Sequence, residues 1–342
     1  MRVAVYNHNR DVRLEERSVP SIAPDEMLVQ VEVSGICGSD VMEWYRRPRA
    51  PVVLGHEIAG QVAAVGKDVQ AFKEGDRITA AHHVPCNGCH YCLTDHHTLC
   101  DTLHRTNFDP GGFAEYIRLT PIHVDRGVFP LPADVSYEEA IFVEPLACVL
   151  RAQRRAHLRQ VQSVLVVGSG TAGLLHVKLA RASGPGRILA SDINEFRLQA
   201  ARRSGADAAL PAEGDWPACV RQANDGELVD LVIVCTGAGS AIATALRAAR
   251  PGGTVLFFAP ASPEFTLPIR FNEVFWRTDL TLMTSYGASP ADYADALELI
   301  HQRRVQVRDM VTHRLGLSQV DLGFRMVAEA KESLKVVLDH HR

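Results

Sequence analysis

The stretch VLVVGSGTAGLL, residues 164–175, constrains the fold more than any other part of the chain. An apolar strand runs straight into Gly168, Gly170 and Gly173, the G-x-G-x-x-G spacing, and a helical pattern follows. In that context Gly168 permits a tight turn and Gly170 lets the backbone approach a pyrophosphate. Gly173 lets the helix pack on the strand, so the N-terminus at Thr171 and Ala172 faces the phosphates. Asp192 closes the strand RILASD, where a carboxylate accepts hydrogen bonds from both ribose hydroxyls and repels a 2′-phosphate. The spacing therefore predicts NAD in preference to NADP. Arg197, one helical turn on, either tempers that preference or is a solvated helix-face side chain. Thr236, just past a strand end, is a further cofactor-binding candidate.

The surroundings support a parallel sheet. From about residue 161 strand patterns (Ser163–Val167, Arg187–Asp192, Leu231–Cys235, Thr254–Phe258, Leu280–Thr284) alternate with helical ones. One helix is expected after Gly173, stopping at Gly184-Pro185-Gly186, and another over Asn194–Arg203. Such alternation implies parallel strands covered by helices. The first ~145 residues read differently. Met27, Val29, Val31 and Val33 alternate with more polar neighbours, a second strand pattern follows Gly55-His56-Glu57, and proline and glycine punctuate densely, as in a small irregular β domain. The tail from Pro290 returns to helix and strand. At 342 residues the chain exceeds one ordinary core, so about two domains are expected.

Composition excludes several function classes. Hydrophobic residues make up 46% and charged residues 22%, the balance of a globular protein. A net charge of −4 gives no general electrostatic reason to bind nucleic acid or an acidic membrane. No apolar run approaches the ~20 residues that span a bilayer. The opening MRVAVYNHNRDVRLEE is charged where a signal peptide is apolar, so a cytoplasmic location is expected.

Four of the eight cysteines crowd into Cys86-x2-Cys89-x2-Cys92-x7-Cys100. In a reducing compartment that crowding argues for metal over disulfides. Four thiolates suit a structural zinc with no open position, which would contribute the folding of a lobe at about 84–102. His90, His96 and His97 lie among them and could compete as ligands. Cys148, Cys219 and Cys235 sit in apolar stretches and are expected to be inert buried thiols. A second constellation is dispersed: Gly35-Ile36-Cys37-Gly38-Ser39-Asp40, Gly55-His56-Glu57 and Glu144-Pro145-Leu146-Ala147. Each is ordinary alone, and spacing does not show that they converge.

Together these motifs, with GDR at Gly75–Arg77, GGFAEY at Gly111–Tyr116 and the glycine fingerprint, resemble the zinc-dependent medium-chain alcohol dehydrogenases, in their sorbitol and threonine dehydrogenase branch. The resemblance covers nearly the whole chain. It implies an α/β protein with an irregular GroES-like β-barrel catalytic domain (1–145 and 290–342) and a Rossmann doubly wound parallel-sheet domain (146–289). It also implies a catalytic zinc on Cys37, His56 and Glu57, with Glu144 a fourth ligand in some members and Asp40 orienting the histidine. Zn²⁺ with one thiolate, one imidazole and one carboxylate is neutral. Adding Glu144 makes the set −1 and weakens the Lewis acid, so Glu144 is expected to be displaceable.

The implied reaction is NAD-linked interconversion of a secondary alcohol (polyol, sugar, cyclitol or 3-hydroxy amino acid) and its ketone. Ser39 matches the family hydroxyl that hydrogen-bonds the substrate oxygen and starts a proton path through the nicotinamide ribose. Many relatives carry a histidine three residues later, as a proton outlet; Met42 stands here and carries no proton. Glu43 either replaces it or is a solvated carboxylate, and the proton otherwise leaves directly to water. Trp44, Tyr45, Arg46, Asn107, Phe108 and Tyr286 are substrate-cleft candidates by the same resemblance. Arg46, Arg47 and Arg49 either read a phosphate or carboxylate or form a solvated loop. Two other readings follow: a sugar-phosphate dehydrogenase, and a non-catalytic dinucleotide-binding regulatory protein. A homo-oligomer, dimer or tetramer, is expected from the relatives.

Overall fold

In the computed structural model, which describes residues 1–342 except Pro185, Asp215 and Pro268, the alternation of Met27, Val29 and Val31 buries one face of a strand at Met27–Ile36. One edge of this strand pairs with Tyr116–Leu119 along Met27–Gln30, then with Lys335–Asp339 along Val33–Ile36. Glu57–Val65 pairs antiparallel to it as well. A seven-stranded sheet results, extended by Val311–Gly316 on one side and by Arg77–Ala80 and Val128–Pro130 on the other. A three-stranded sheet of Asp11–Glu16, Arg2–His8 and Val52–Val53 lies in the same unit, which comprises Met1–Ala147 and Ala288–Arg342.

The core of this unit draws on both ends of the chain. Phe324, on the helix Val320–Glu329, is fully buried with its ring 5.6 Å from Tyr6 and 5.7 Å from Phe113. Burying each such ring stabilises by roughly 1.5–3 kcal/mol, which holds the C-terminal segment against the N-terminal strands. That docking matters for the site, because it carries Lys335 to the centre of the sheet. The cysteine lobe is poorer: its own apolar cluster has only Cys92, Cys100 and Leu103 fully buried. Three residues bury too little area to fold a loop alone.

The second unit, Cys148–Gly287, contains six strands, all parallel. Their order is Ala208–Pro211, Arg187–Asp192, Ser163–Val167, Val229–Val234, Ala249–Phe257, Thr281–Thr284. In chain order this is 3-2-1-4-5-6, the doubly wound arrangement, whose switch point lies between Ser163–Val167 and Val229–Val234. The glycine fingerprint leaves the first of those strands. Leu165, Val167, Leu189, Val232, Val234 and Val255 form the buried core.

Two sequence expectations shift. The helix expected after Gly173 begins at Thr171, so Gly173 lies inside its first turn. The helix ends at Ser183 with Gly184 at φ 91°, its N–H bonded to the Ala180 carbonyl; Pro185 of the expected stop lies outside the described residues. Cys148, Cys219 and Cys235 are half-buried rather than buried. Among the described residues no helix is long and apolar enough to cross a membrane.

Gly173 tests the helix–turn contact. A Cβ there would stand 1.9 Å from the Gly168 carbonyl oxygen. Gly173→Ala is expected to cost about 1–3 kcal/mol, an overpacking penalty, in urea unfolding. Unchanged stability would show that the helix yields freely at this point.

Candidate active site and metal centres

Strand Met27–Ile36 ends one residue before Cys37, and Glu57 opens the antiparallel strand beside it, opposite Gly35 in the ladder. This pairing brings two distant motifs together. One ligand atom each from Cys37, His56 and Glu57 lie within 4.8 Å of one another, with His56 8% and Glu57 1% exposed. A Cβ at position 35 would come 2.3 Å from Glu57 Oε2, so any side chain there would push that carboxylate aside.

Asp40, fully buried, ties the group together. Its Oδ2 accepts the Cys37 N–H at 3.0 Å, while Oδ1 faces His56 Nδ1 and Arg46 Nη2, each at 3.4 Å. Burial would raise its pKa, but His56, Arg46 and the Cys37 N–H outweigh burial and hold the carboxyl below its ordinary value. His56 shows the reciprocal effect. Burial opposes a charge on the ring, yet the Asp40 carboxylate and Cys37 sulfur lift it well above its ordinary value.

Lys335 is the residue that sequence reasoning missed. Its ammonium, 1% exposed, lies 2.5 Å from Glu57 Oε2. Burial works against its charge, and Glu57, Cys37 and Glu144 together raise its pKa nonetheless. In KVVLD a lone lysine opening a strand reads as a solvated end, and nothing local marks it otherwise. His82 was also missed. Its ring centroid stands 4.9 Å from that of His56, and its buried Nδ1 has no hydrogen-bond partner among the described residues.

The residues fit a zinc ion. Glu57 Oε1 is buried without a partner among the described residues although Oε2 is paired, and a buried acceptor left bare is costly. Thiolate, imidazole and carboxylate are zinc donors, and a cation among them would satisfy that oxygen. Glu144, on the helix Val143–Arg155, stands outside the cluster of three while its charge still acts on Lys335.

The four lobe cysteines also converge, with every sulfur within 4.8 Å of the others. Sulfur–sulfur distances of 3.5, 3.6 and 4.0 Å bracket the edge of about 3.8 Å that a tetrahedron with ~2.3 Å Zn–S bonds requires. Burial pushes Cys92 up to about 12, whereas the Cys86 and Leu103 N–H groups overcome burial and bring Cys100 down to about 6. His90, His96 and His97 stand outside this set.

The remaining candidates disperse. Arg46 is turned inward onto Ser39 and Asp40. Arg49 stacks on Tyr45 at 4.7 Å and donates to its hydroxyl, while Arg47 lines a separate cavity of about 540 Å³ with His8, Arg10 and Arg325. Glu43 Oε1 accepts the Asn9 N–H at 2.9 Å. Asn107 caps its own neighbour by accepting the Phe108 N–H, and Trp44 is 45% exposed. Tyr286 belongs to the other unit.

In that unit Gly168 adopts φ 92° and Gly170 caps the helix Thr171–Ser183. Asp192 accepts the Ser169 N–H at 2.8 Å on one oxygen and the Asn194 N–H at 3.0 Å on the other. A carboxylate has about four lone-pair sites, and these two bonds occupy two of them. The Arg197 guanidinium approaches within 3.8 Å of where a Cβ on Gly170 would be, with its buried Nε unpartnered.

The Gly35–Glu57 contact yields a prediction. Gly35→Ala is expected to displace the Glu57 carboxylate and to speed zinc loss to a chelator by at least about tenfold, as loss of support around a ligand does. Wild-type retention would show that Glu57 does not hold the metal.

The chain matches known proteins along its whole length. The alcohol dehydrogenase GroES-like domain family matches residues 23–133, and the zinc-binding dehydrogenase family matches residues 172–302. The sorbitol dehydrogenase of Bacillus subtilis is 31% identical over 357 positions, covering 100% of this chain and 98% of that protein. The L-threonine 3-dehydrogenase of Symbiobacterium thermophilum is 30% identical over 346, covering 95% and 93%. The solved alcohol dehydrogenase of Thermus sp. ATN1 superposes with a TM-score of 0.84 at 32% identity, covering 99% of each chain. With that coverage at that identity, the chain belongs to the zinc-dependent medium-chain alcohol dehydrogenase family.

Proposed function

We propose that this protein interconverts a secondary alcohol and its ketone with NAD(H), at a zinc ion held by Cys37, His56 and Glu57, and that Glu144 is a displaceable fourth ligand. The bare Glu57 Oε1 inside the ligand cluster carries this reading. Zinc bound there supplies positive charge at the alcohol oxygen and lowers its pKa. Lys335 holds the other Glu57 oxygen, so the carboxylate presents one face to the ion. Asp40 fixes the His56 ring through Nδ1, which leaves Nε2 as the ligand atom. Ser39 donates its hydroxyl proton toward the reacting oxygen, a contact of the kind that stabilises developing negative charge. The lobe cysteines hold a second, structural zinc.

The cofactor is NAD, on the Rossmann unit. Asp192 keeps two lone-pair sites for the ribose hydroxyls and repels a 2′-phosphate, with Gly168, Gly170, Thr171, Ala172 and Gly173 at the pyrophosphate. Arg197 and Thr236 line the same region. Sorbitol and threonine, named for relatives, mark the substrate range: polyols, sugars, cyclitols and 3-hydroxy amino acids. A sugar phosphate is disfavoured because two of the three arginines are already engaged, Arg46 by Ser39 and Arg49 by Tyr45. Free cysteines in a metal-binding arrangement suit the reducing cytoplasm. A homo-oligomer is supported by exposed Phe271, Phe275, Trp276 and Leu282, the last on the edge strand Thr281–Thr284.

The test is NAD reduction across sorbitol, xylitol, inositol and threonine, with zinc-stripped protein alongside. Turnover with at least one alcohol, its loss on stripping and about two zinc ions per chain are expected. Zinc-independent turnover, or binding of one zinc only, would refute the assignment. Asp192→Ala is expected to raise KM for NAD about tenfold or more and to narrow the preference over NADP. Equal discrimination in the variant would remove Asp192 from the ribose site.

A further inference from the structure

Three arginines line the cavity of about 540 Å³ that lies outside the metal cluster: Arg10, Arg47 and Arg325. They come from separate segments, the turn between Arg2–His8 and Asp11–Glu16, the 3₁₀ turn Arg47–Arg49, and the helix Val320–Glu329. Among the described residues the Arg10 and Arg47 side chains have no ion-pair partner. Arg325 meets only Asp321, at 3.0 Å, with both side chains more than 40% exposed. A pair so wet holds its partner weakly. Two glutamates share the lining, but Glu329 also faces Lys331, at 3.1 Å. With Asp321 and Lys331 counted, cations still exceed carboxylates, and like charges brought together without an anion repel one another.

One wall of the cavity is fixed in advance. Asn9, beside Arg10, donates its backbone N–H to Glu43 Oε1 at 2.9 Å and its Nδ2 to the Val41 carbonyl at 2.8 Å. Its Oδ1 accepts the hydroxyl of fully buried Tyr6 at 3.0 Å. These bonds tie the turn that carries Arg10 to the helix Glu43–Arg46, which runs directly into Arg47. Guanidinium groups match the oxygens of phosphate and carboxylate equally in kind. Arginines from three segments favour phosphate, whose three terminal oxygens point in three directions where a carboxylate offers two in one plane. The volume exceeds that of the anion alone and falls in the range of small-molecule sites.

We propose that this cavity binds a phosphate monoester, with Arg10, Arg47 and Arg325 on the terminal phosphate oxygens and the organic part in the remaining volume. Cys37, Ser39, His56 and Glu57 are absent from the lining, so the ligand is held there without being oxidised. Free phosphate carries the same chemistry, and the arms of the experiment separate the two sources.

The zinc-loaded full chain is titrated calorimetrically with glucose 6-phosphate, inorganic phosphate, glucose and sulfate at constant ionic strength. Glucose 6-phosphate is expected to bind more tightly than phosphate or sulfate, and glucose not at all. Arg10→Met and Arg47→Met are each expected to weaken it about tenfold or more, as loss of a charge-assisted contact does. Arg49→Met, outside the lining, should bind as wild type does. Thermal unfolding without ligand should coincide for wild type and Arg10→Met, which shows that the exposed arginine is not needed for folding. No binding, or binding unchanged in both Arg10→Met and Arg47→Met, would overturn the proposal. Sulfate or phosphate binding as tightly as the ester would reduce the site to an adventitious ion only. Oxidation of glucose 6-phosphate by NAD that falls in Arg10→Met would also overturn it, by making the cavity part of the substrate site. Calorimetry needs no turnover, so the result stands apart from the dehydrogenase reading.

Discussion

A carboxylate buried to 1% exposure, with one oxygen on an equally buried ammonium and the other bare, sets the terms for the rest of the catalytic unit. Taking Glu57 and Lys335 out of water costs several kcal/mol per ion, and their attraction offsets that only where the geometry is good. The unit supplies the geometry by laying the strand Lys335–Asp339 on Val33–Ile36 and leaving position 35 without a side chain. Lys335 also changes the charge balance of the zinc site. With the buried ammonium counted, Zn²⁺, a Cys37 thiolate and a Glu57 carboxylate carry +1, and Glu144 brings the sum to zero. On the proposed ligand set, departure of Glu144 would take the site from neutral to cationic, rather than from anionic to neutral as the ligands alone suggest.

Asp40 extends the same economy outward. One carboxylate orders the Cys37 backbone, the His56 ring and Arg46, so metal geometry and the substrate-side hydroxyl share a support. Both Asp40 oxygens face donors, and such contacts strengthen one another in a low-dielectric setting. The cysteine lobe follows an opposite strategy: with a core of three residues, its order depends on the ion its sulfurs can surround.

The arginine run shows how identical side chains separate in space. Arg46, Arg47 and Arg49 lie within four positions of one another, yet one turns to Ser39, one to an unrelated cavity and one to Tyr45. A short helix, Glu43–Arg46, followed by a 3₁₀ turn at Arg47–Arg49, fans them apart. A run that along the sequence either reads an anion or forms a solvated loop is divided in space, with only Arg46 and Arg49 sharing a neighbour, the Tyr45 ring.

Much of this protein is legible in the chain. The glycine spacing and Asp192 work through backbone conformation and local distance, and such features survive into the fold because they depend on few neighbours. The four lobe cysteines are likewise close enough in sequence to meet. Cys37 and His56 carried a signal only as parts of a resemblance, since nothing in their spacing brings them together. Lys335 and the inward turn of Arg46 carried none. Their roles come from which strand edge receives the C-terminal tail and which way a short helix faces, and the first is held by the burial of remote apolar side chains such as Phe324 against Tyr6 and Phe113. The sequence by itself determined the kinds of atoms available and the local loops that present them. Tertiary structure decided which charges share a dry space, because that depends on long-range packing that no short window of residues encodes.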